Sequence, residues 1–315
     1  MTDFSNKLIN SIKRVLPGTI KTCIWMIEMT VIVSFAVLVL RQFGILDWLS
    51  RQLGPLFSHF GLPGEAALAY VTGYFVNNYS AIAVAVTLGL DIRQMTILAV
   101  MALCSHNMFI ESSVQKMTGS KVWDVVLVRT MSGIILAFVL NLILPSGEVL
   151  GTLAASGGIS AAEAAPFMQQ LGDWALSTLK LCVKMTILIA LLNFLQAILT
   201  DFGVAKLISK SLKPLMTVFG LPEKVSFLWI IANVVGLGYG AAAMKEELRG
   251  GNVSKDDVDL LNTHIGIAHS NLEDLTLFAS VGGIWWVLLL SRWAMAAVLV
   301  WGRRGIMAMT KKSGE

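Results

Sequence analysis

Two short polar stretches break into apolar surroundings, and both carry residue types that do chemistry. "SHNMFIE" covers 105–111 and "HSNLED" covers 269–274. In each, a histidine is followed five residues later by a carboxylate, Glu111 after His106 and Asp274 after His269. Unperturbed imidazole titrates at about 6.5, so a histidine in an apolar segment can move a proton as well as form a hydrogen-bonding wall. Ser105, Asn107, Ser270 and Asn271 add hydroxyl and amide groups beside it. Ionisable groups at membrane depth are costly and by default mark a pathway or a site. The plainer reading is that each histidine only bonds a neighbouring helix. Imidazole and carboxylate are also ordinary metal ligands. Residues five apart on an ideal helix point roughly 140° away from each other, however, so histidine and carboxylate meet only if the helix unwinds. The expectation is solute-binding walls, with no metal site and no cofactor.

The elements that must position these residues are membrane helices. Hydrophobic residues make up 56% of the 315 and charged residues 14%, with mean hydropathy +0.72. Such a chain cannot bury its apolar surface in a soluble core. Windows near or above the roughly 20 apolar residues that cross about 30 Å of hydrocarbon run Thr19–Leu40, Val122–Leu144, Leu176–Leu199 and Gly282–Val300. The first span has no cleavage pattern of a signal peptide and is expected to be retained. Cys23, Cys104 and Cys182 are scattered without CxxC spacing, which points to packing rather than disulfides or zinc.

The chain reads as two copies of one unit. "FGILDWLSRQLGPLFSHFGLP" (43–63) lies over "FGVAKLISKSLKPLMTVFGLP" (202–222) with ten identities and no gap, at an offset of 159. Further on the offset is 163, pairing His106 with His269, Glu111 with Asp274, Trp123 with Trp286 and Arg129 with Arg292. This divides the chain into an N-terminal segment 1–17, a first repeat 18–144, a linker 145–172, a second repeat 173–302 and a basic tail 303–315.

Charge orients the copies, because Lys and Arg favour the cytoplasmic side of short loops. Lys7, Lys13 and Arg14 at one end and Arg303, Arg304, Lys311 and Lys312 at the other place both termini in the cytoplasm, while the linker has Glu148 and Glu163 but no Lys or Arg. Each unit then crosses an odd number of times, and the two are inverted. Equivalent loops agree: Lys206, Lys213 and Lys224 replace Asp47, Gly54 and Glu65, whereas Lys116 and Lys121 replace Ala279 and Ile284. An odd count makes the segment after each "FGLP" a re-entrant hairpin, with tips "GYFVNNYSA" (73–81) and "VGLGYGAAA" (235–243). Non-helical backbone at membrane depth survives only when buried in protein or lining a cavity. Asn77, Asn78, Tyr79, Ser80 and Tyr239 are therefore candidate binding residues, converging with those of the two histidine stretches.

Asp91 and Ser254 are candidate N-caps about 15 residues before each histidine. Arg129 and Arg292 sit inside their spans and suit ion pairs, Glu111 with Arg129 and Asp274 with Arg292, or capture of an anionic solute. Glu28, whose counterpart is Ile187, is either a coupling site or a group facing the bundle interior. Lys206, Lys210 and Lys213 at i, i+4, i+7 mark an amphipathic helix attracted to anionic lipid.

The run "ANVVGLGYGAAAMKEEL" (232–248) resembles the Asn- and Gly-rich segment and following helix of nucleoside-recognition, or Gate-domain, membrane proteins, including the spore maturation A- and B-type proteins, and "SHNMFIE" is similar to the matching helix break. The resemblance covers most of both units and implies kinship with the core of concentrative nucleoside transporters and with the gates of ferrous-iron transporter B proteins. This chain has no P-loop, lacks the Cys near Pro of the iron transporters, and fuses units that the spore maturation proteins keep on separate chains. The expected fold is an all-α integral membrane protein of two inverted-topology repeats, each with spanning helices, an amphipathic helix and a re-entrant helical hairpin. The expected function is secondary transport of a small polar solute, nucleoside-like or a small organic anion, across the cytoplasmic (inner) membrane. The alternatives are a non-transporting interaction component of spore-maturation type and a divalent metal transporter. No nucleophile with a paired base is visible, so an enzyme is not expected. The partners implied are the solute, the lipid bilayer, a H⁺ or Na⁺ coupling ion and, in a homo-oligomer, further copies of the chain; nothing points to nucleic acid.

Overall fold

The computed structural model describes residues 2–145 and 166–312, and among these every regular element is helical. In chain order the helices are α1 (Thr2–Gln42), α2 (Ile45–Phe57), α3 (Ala66–Phe75), α4 (Asn78–Thr87), α5 (Ile92–Ser105), α6 (Met108–Lys116), α7 (Val122–Ile143), α8 (Phe167–Asp201), α9 (Val204–Ser211), α10 (Lys213–Val218), α11 (Ser226–Ile230), α12 (Leu237–Arg249), α13 (Lys255–Ile267), α14 (Asp274–Ser280) and α15 (Trp285–Lys312). Five stretches are long and apolar enough to cross a membrane: Phe4–Gln42, Ile92–Lys116, Val122–Ile143, Phe167–Asp201 and Trp285–Thr310. The protein is a multi-pass membrane protein. Four of these correspond to the windows expected from hydropathy: Thr19–Leu40 and Leu176–Leu199 lie within their helices, Val122–Leu144 runs one residue past its helix, and Gly282–Val300 begins three residues before its helix. The other, Ile92–Lys116, holds the first histidine stretch, whose polar residues interrupt the apolar run. Most of the linker, including Glu148, Ser156 and Glu163, lies outside the described residues; α8 starts at Phe167, inside the expected linker range.

The two first spans, α1 and α8, pack along each other, and their contacts run in opposite chain directions. Arg14 pairs with Asp201 at 2.6 Å, Asn193 donates to Thr19 Oγ1 at 3.3 Å, Ser34 meets Thr178 at 3.5 Å, and Gln42 donates to Gln170 at 2.5 Å. As the α1 number rises, its partner's number falls, so the helices are antiparallel.

Each "FGLP" leads into a helical hairpin. The ten residues each of α3 and α4 rise only ~15 Å, half of the ~30 Å hydrocarbon, so neither arm is long enough to cross it alone. Asn77 turns the chain in extended conformation (φ −174°, ψ 170°) and caps α4 by accepting from Ser80 N. An added Cβ at Gly73 would lie 3.0 Å from Ala81 Cβ, which shows how closely the arms approach. In the second hairpin α11 runs into a π-helical turn, Ile231–Val235, and the chain reverses at Gly236, φ +119°. The lysine stripe does not lie on one helix: α9 ends at Ser211 and Lys213 opens α10, though Lys206, Lys210 and Lys213 are all exposed.

The late helices of the two halves interlock. α5 packs on α7 and α13 on α15, while α13 also packs on α7 and α15 on α5. Residues 95–105 of α5 are all buried, which puts the first histidine stretch at the centre of the bundle.

Candidate functional site

Both histidine stretches are helix breaks of one design. Asp91 and Ser254 cap α5 and α13, as the sequence suggested, and the structure extends each into a capping box, with Gln94 and Asp257 respectively. α5 ends at Ser105, His106 turns to φ −64°, ψ 158°, and Asn107 is left-handed (φ 48°) before α6 resumes. In the second copy Ser270 follows His269 with φ 51°. Asn107 and Ser270 are the non-glycine residues with positive φ among the described residues. That conformation costs roughly 1–2 kcal/mol for an L-residue, least for Asn, so the tertiary structure must enforce it twice.

A broken helix leaves carbonyl groups without intrahelical donors, and a buried arginine supplies them on each side. Arg129 donates through Nε to Cys104 O at 2.9 Å and through Nη2 to His106 O at 2.8 Å. Arg292 donates through Nη1 to His269 O at 3.1 Å and is within 3.5 Å of Ile267 O. Arg129 is 1% exposed and Arg292 not at all.

The break removes the 140° separation that argued against a shared site. His106 Nε2 lies 3.1 Å from Glu111 Oε1 and 3.2 Å from Asp274 Oδ2, and His269 Nε2 lies 3.2 Å from Glu111 Oε2. Each carboxylate therefore reaches the histidine of the other half. The imidazole centroids are 5.1 Å apart with planes 32° from parallel. Nδ1 of His106 is 3.2 Å from Ala102 O, and Nδ1 of His269 is 2.7 Å from Ile265 O. A carbonyl oxygen only accepts, so both Nδ1 atoms carry the proton and both Nε2 atoms are turned to the carboxylates.

The expected ion pairs are half right. Arg129 Nη2 pairs with Glu111 Oε2 at 2.6 Å. Arg292 instead donates to Asn271 Oδ1 at 2.8 Å, and the Asp274 carboxylate lies against His106 Nε2. Asn271 also donates to Asn233 Oδ1 at 2.5 Å, tying the second break to the second hairpin; Asn107 N donates to Gly73 O at 3.0 Å, tying the first break to the first hairpin. Ser105 is held by Met101 O and Tyr70 and stays outside the cluster, while Ser270 Oγ accepts from Asp274 N at 3.3 Å.

At the first hairpin tip, Asn77, Asn78 and Ser80 are buried, and Asn77 Nδ2, both polar atoms of Asn78 and Ser80 Oγ have no hydrogen-bond partner among the described residues. Tyr79 donates to Glu273 Oε1 at 2.6 Å, next to Asp274, so the tip and the cluster are neighbours. Two expected residues are elsewhere. Tyr239 is 69% exposed on α12, because the chain reverses at Gly236 and has left the tip by then. Glu28 is exposed on α1, with no hydrogen bond or ion pair among the described residues.

Residues 23–160 match the Gate family, described as nucleoside recognition. The chain is also 32% identical over 273 residues, 85% of either chain, to "Uncharacterized membrane protein YvoD" of Bacillus subtilis (strain 168). The chain belongs to the Gate family. A match of 273 residues is too long for one half and takes in both. No solved structure matches.

In this Gate protein, symmetry between the halves pointed to the paired residues and passed over unpaired ones. Glu273 stands opposite Ile110 at the offset of 163, and Asn233 opposite Gly73 at an offset of 160, so neither appeared as a repeated polar position. The signal that remained was a second carboxylate next to Asp274 and an Asn just before the hairpin glycine.

Proposed function

We propose that the protein is a secondary transporter of a small polar solute, nucleoside-like or a small organic anion, gated by its two helical hairpins. The observation that carries this reading is the first hairpin tip. Four polar atoms of Asn77, Asn78 and Ser80 are buried without partners among the described residues, and each such atom costs about 1–3 kcal/mol unless something satisfies it. A polar solute does so while it is bound. A cavity of about 340 Å³ lies against the other end of the same hairpin arm, lined by Ala83, Thr87, Arg41, Asp173, Lys180 and Lys184 among others. Its size suits a small organic molecule, and its cationic groups favour an anion; movement of α4 changes its shape.

In this reading residues 18–144 and 173–302 are inverted units joined by an external linker, with both termini cytoplasmic and the protein in the inner membrane. The antiparallel course of α1 and α8 supports the inversion. A H⁺ or Na⁺ gradient supplies the driving force, and no catalysis is involved. The test is flux into proteoliposomes with nucleosides and small organic anions, under imposed H⁺ or Na⁺ gradients. One solute should accumulate, and Asn78→Leu should abolish accumulation while the protein still elutes as a folded species. Background flux for every solute and gradient would instead indicate a non-transporting interaction component.

A further inference from the structure

We propose that His106, His269, Glu111 and Asp274 bind a divalent transition-metal ion that joins the two halves of the chain. With Nδ1 of each imidazole facing a helix carbonyl, Nε2 is the ring nitrogen that each histidine turns to the carboxylates. This is the arrangement in which metal-bound histidines are oriented, one ring nitrogen donating to the protein and the other ligating. A bare Nε2 lone pair aimed at a carboxylate is repulsive, so either a proton on Nε2 or a metal ion between the groups must offset it, and a metal ion can be shared by both rings.

The spacing is that of a coordination shell. Metal–ligand bonds of 2.0–2.1 Å to imidazole N and carboxylate O in a tetrahedron put neighbouring donor atoms ~3.3 Å apart; His106 Nε2 lies 3.1 Å from Glu111 Oε1 and 3.2 Å from Asp274 Oδ2, while His269 Nε2 lies 3.2 Å from the other Glu111 oxygen, Oε2. One donor atom from each of His106, Glu111 and His269 lies within 4.8 Å of the others. His269 is 2% exposed, and its Nε2 makes no hydrogen bond although Glu111 Oε2 is 3.2 Å away. The approach is close but misaligned for a shared proton, as expected of two ligands that converge on a third atom. Arg129 holds Glu111 through Oε2 and leaves Oε1 facing His106, the usual outer-shell support of a ligating carboxylate. In formal charges, the carboxylates of Glu111, Asp274 and Glu273 outnumber the guanidiniums of Arg129 and Arg292, so a cation is favoured. Two imidazoles with two carboxylates suit Zn²⁺ or Co²⁺ better than Ca²⁺ or Mg²⁺, which prefer all-oxygen shells. His106 and Glu111 come from the first half and His269 and Asp274 from the second, so the ion cross-links the two breaks. The site is argued from different atoms than the solute reading and holds whether or not flux is found.

The test uses the full chain in detergent, stripped with a chelator and titrated with Co²⁺ or Zn²⁺ alone. About one ion per chain should bind, Co²⁺ should develop the intense visible bands of a tetrahedral site, and binding should raise the unfolding temperature. His269→Gln should weaken Co²⁺ binding by about tenfold or more and remove the bands, with metal-free unfolding and elution near wild type. Should His269→Gln fail to fold, His269→Cys decides, because it exchanges a nitrogen ligand for sulfur and must add a sulfur-to-Co²⁺ charge-transfer band. Wild-type protein that takes up no Co²⁺, or a His106→Gln/His269→Gln protein with wild-type affinity and bands, overturns the proposal.

Discussion

The arginines that follow the two breaks serve two purposes, and they serve them unequally. Both cap the carbonyls of a broken helix, but Arg129 also neutralises Glu111, whereas Arg292 contacts the neutral amide of Asn271. Removing one partner of a buried ion pair strands the other charge and costs about 3–5 kcal/mol. Leaving neutral acceptors unpaired costs about 1–3 kcal/mol. Arg129→Met should therefore destabilise the protein more than Arg292→Met in detergent-solubilised thermal or urea unfolding, and equal losses would contradict the assignment of Glu111 as the partner. The left-handed Asn107 gives a second expectation at this scale. Asn107→Gly should leave stability almost unchanged, while Asn107→Val should lose ~1–2 kcal/mol because its Cβ branches collide with the following carbonyl.

Among the elements, the second hairpin shows which glycine is structural. A Cβ at Gly240 would lie 2.8 Å from Ala232 Cβ, closing off the approach of α12 to the π-helical turn, whereas one at Gly238 meets nothing within 4 Å. Substitutions two residues apart should act in opposite directions. Gly238→Ala should stabilise by up to ~1 kcal/mol through helix propensity. Gly240→Ala should destabilise by ~1–3 kcal/mol through overpacking. Unfolding midpoints of the two variants against wild type check the pair, and a stabilising Gly240→Ala would mean that the hairpin is looser than described. The first hairpin holds the same close approach with the roles exchanged, Gly73 against Ala81.

At the scale of the molecule, the proposed inversion makes a topological prediction. Cysteines introduced singly at Ser156 and Gly251, in a version lacking Cys23, Cys104 and Cys182, should differ in labelling by an impermeant thiol reagent on intact cells. Ser156 should label and Gly251 should not; labelling of both from outside would sink the inverted arrangement. The antiparallel packing of α1 and α8 is checked separately by Ser34→Cys with Thr178→Cys, whose parent oxygens are 3.5 Å apart and which should cross-link on oxidation.

Several features were legible in one dimension because they are periodic, compositional or repeated. Apolar runs long enough for the hydrocarbon announced four spans, the offset of 159 announced two related halves, and Asp91 and Ser254 announced the starts of the broken helices. Polar pairs at equal offsets pointed to His106, His269, Glu111 and Asp274 as belonging together. Their connection was not legible. Whether a carboxylate five residues beyond a histidine faces it depends on whether the helix continues, and here Arg129 and Arg292, each 23 residues downstream of its histidine, decide that by satisfying the carbonyls exposed at the break. Nor could local sequence tell Asp274 to approach His106 rather than Arg292, because that choice is made by the packing of one half against the other. Glu28 and Tyr239 lie elsewhere for the complementary reason: polarity in an apolar run says that a residue is unusual, but the rotation of α1 and the reversal at Gly236 say where each side chain ends up.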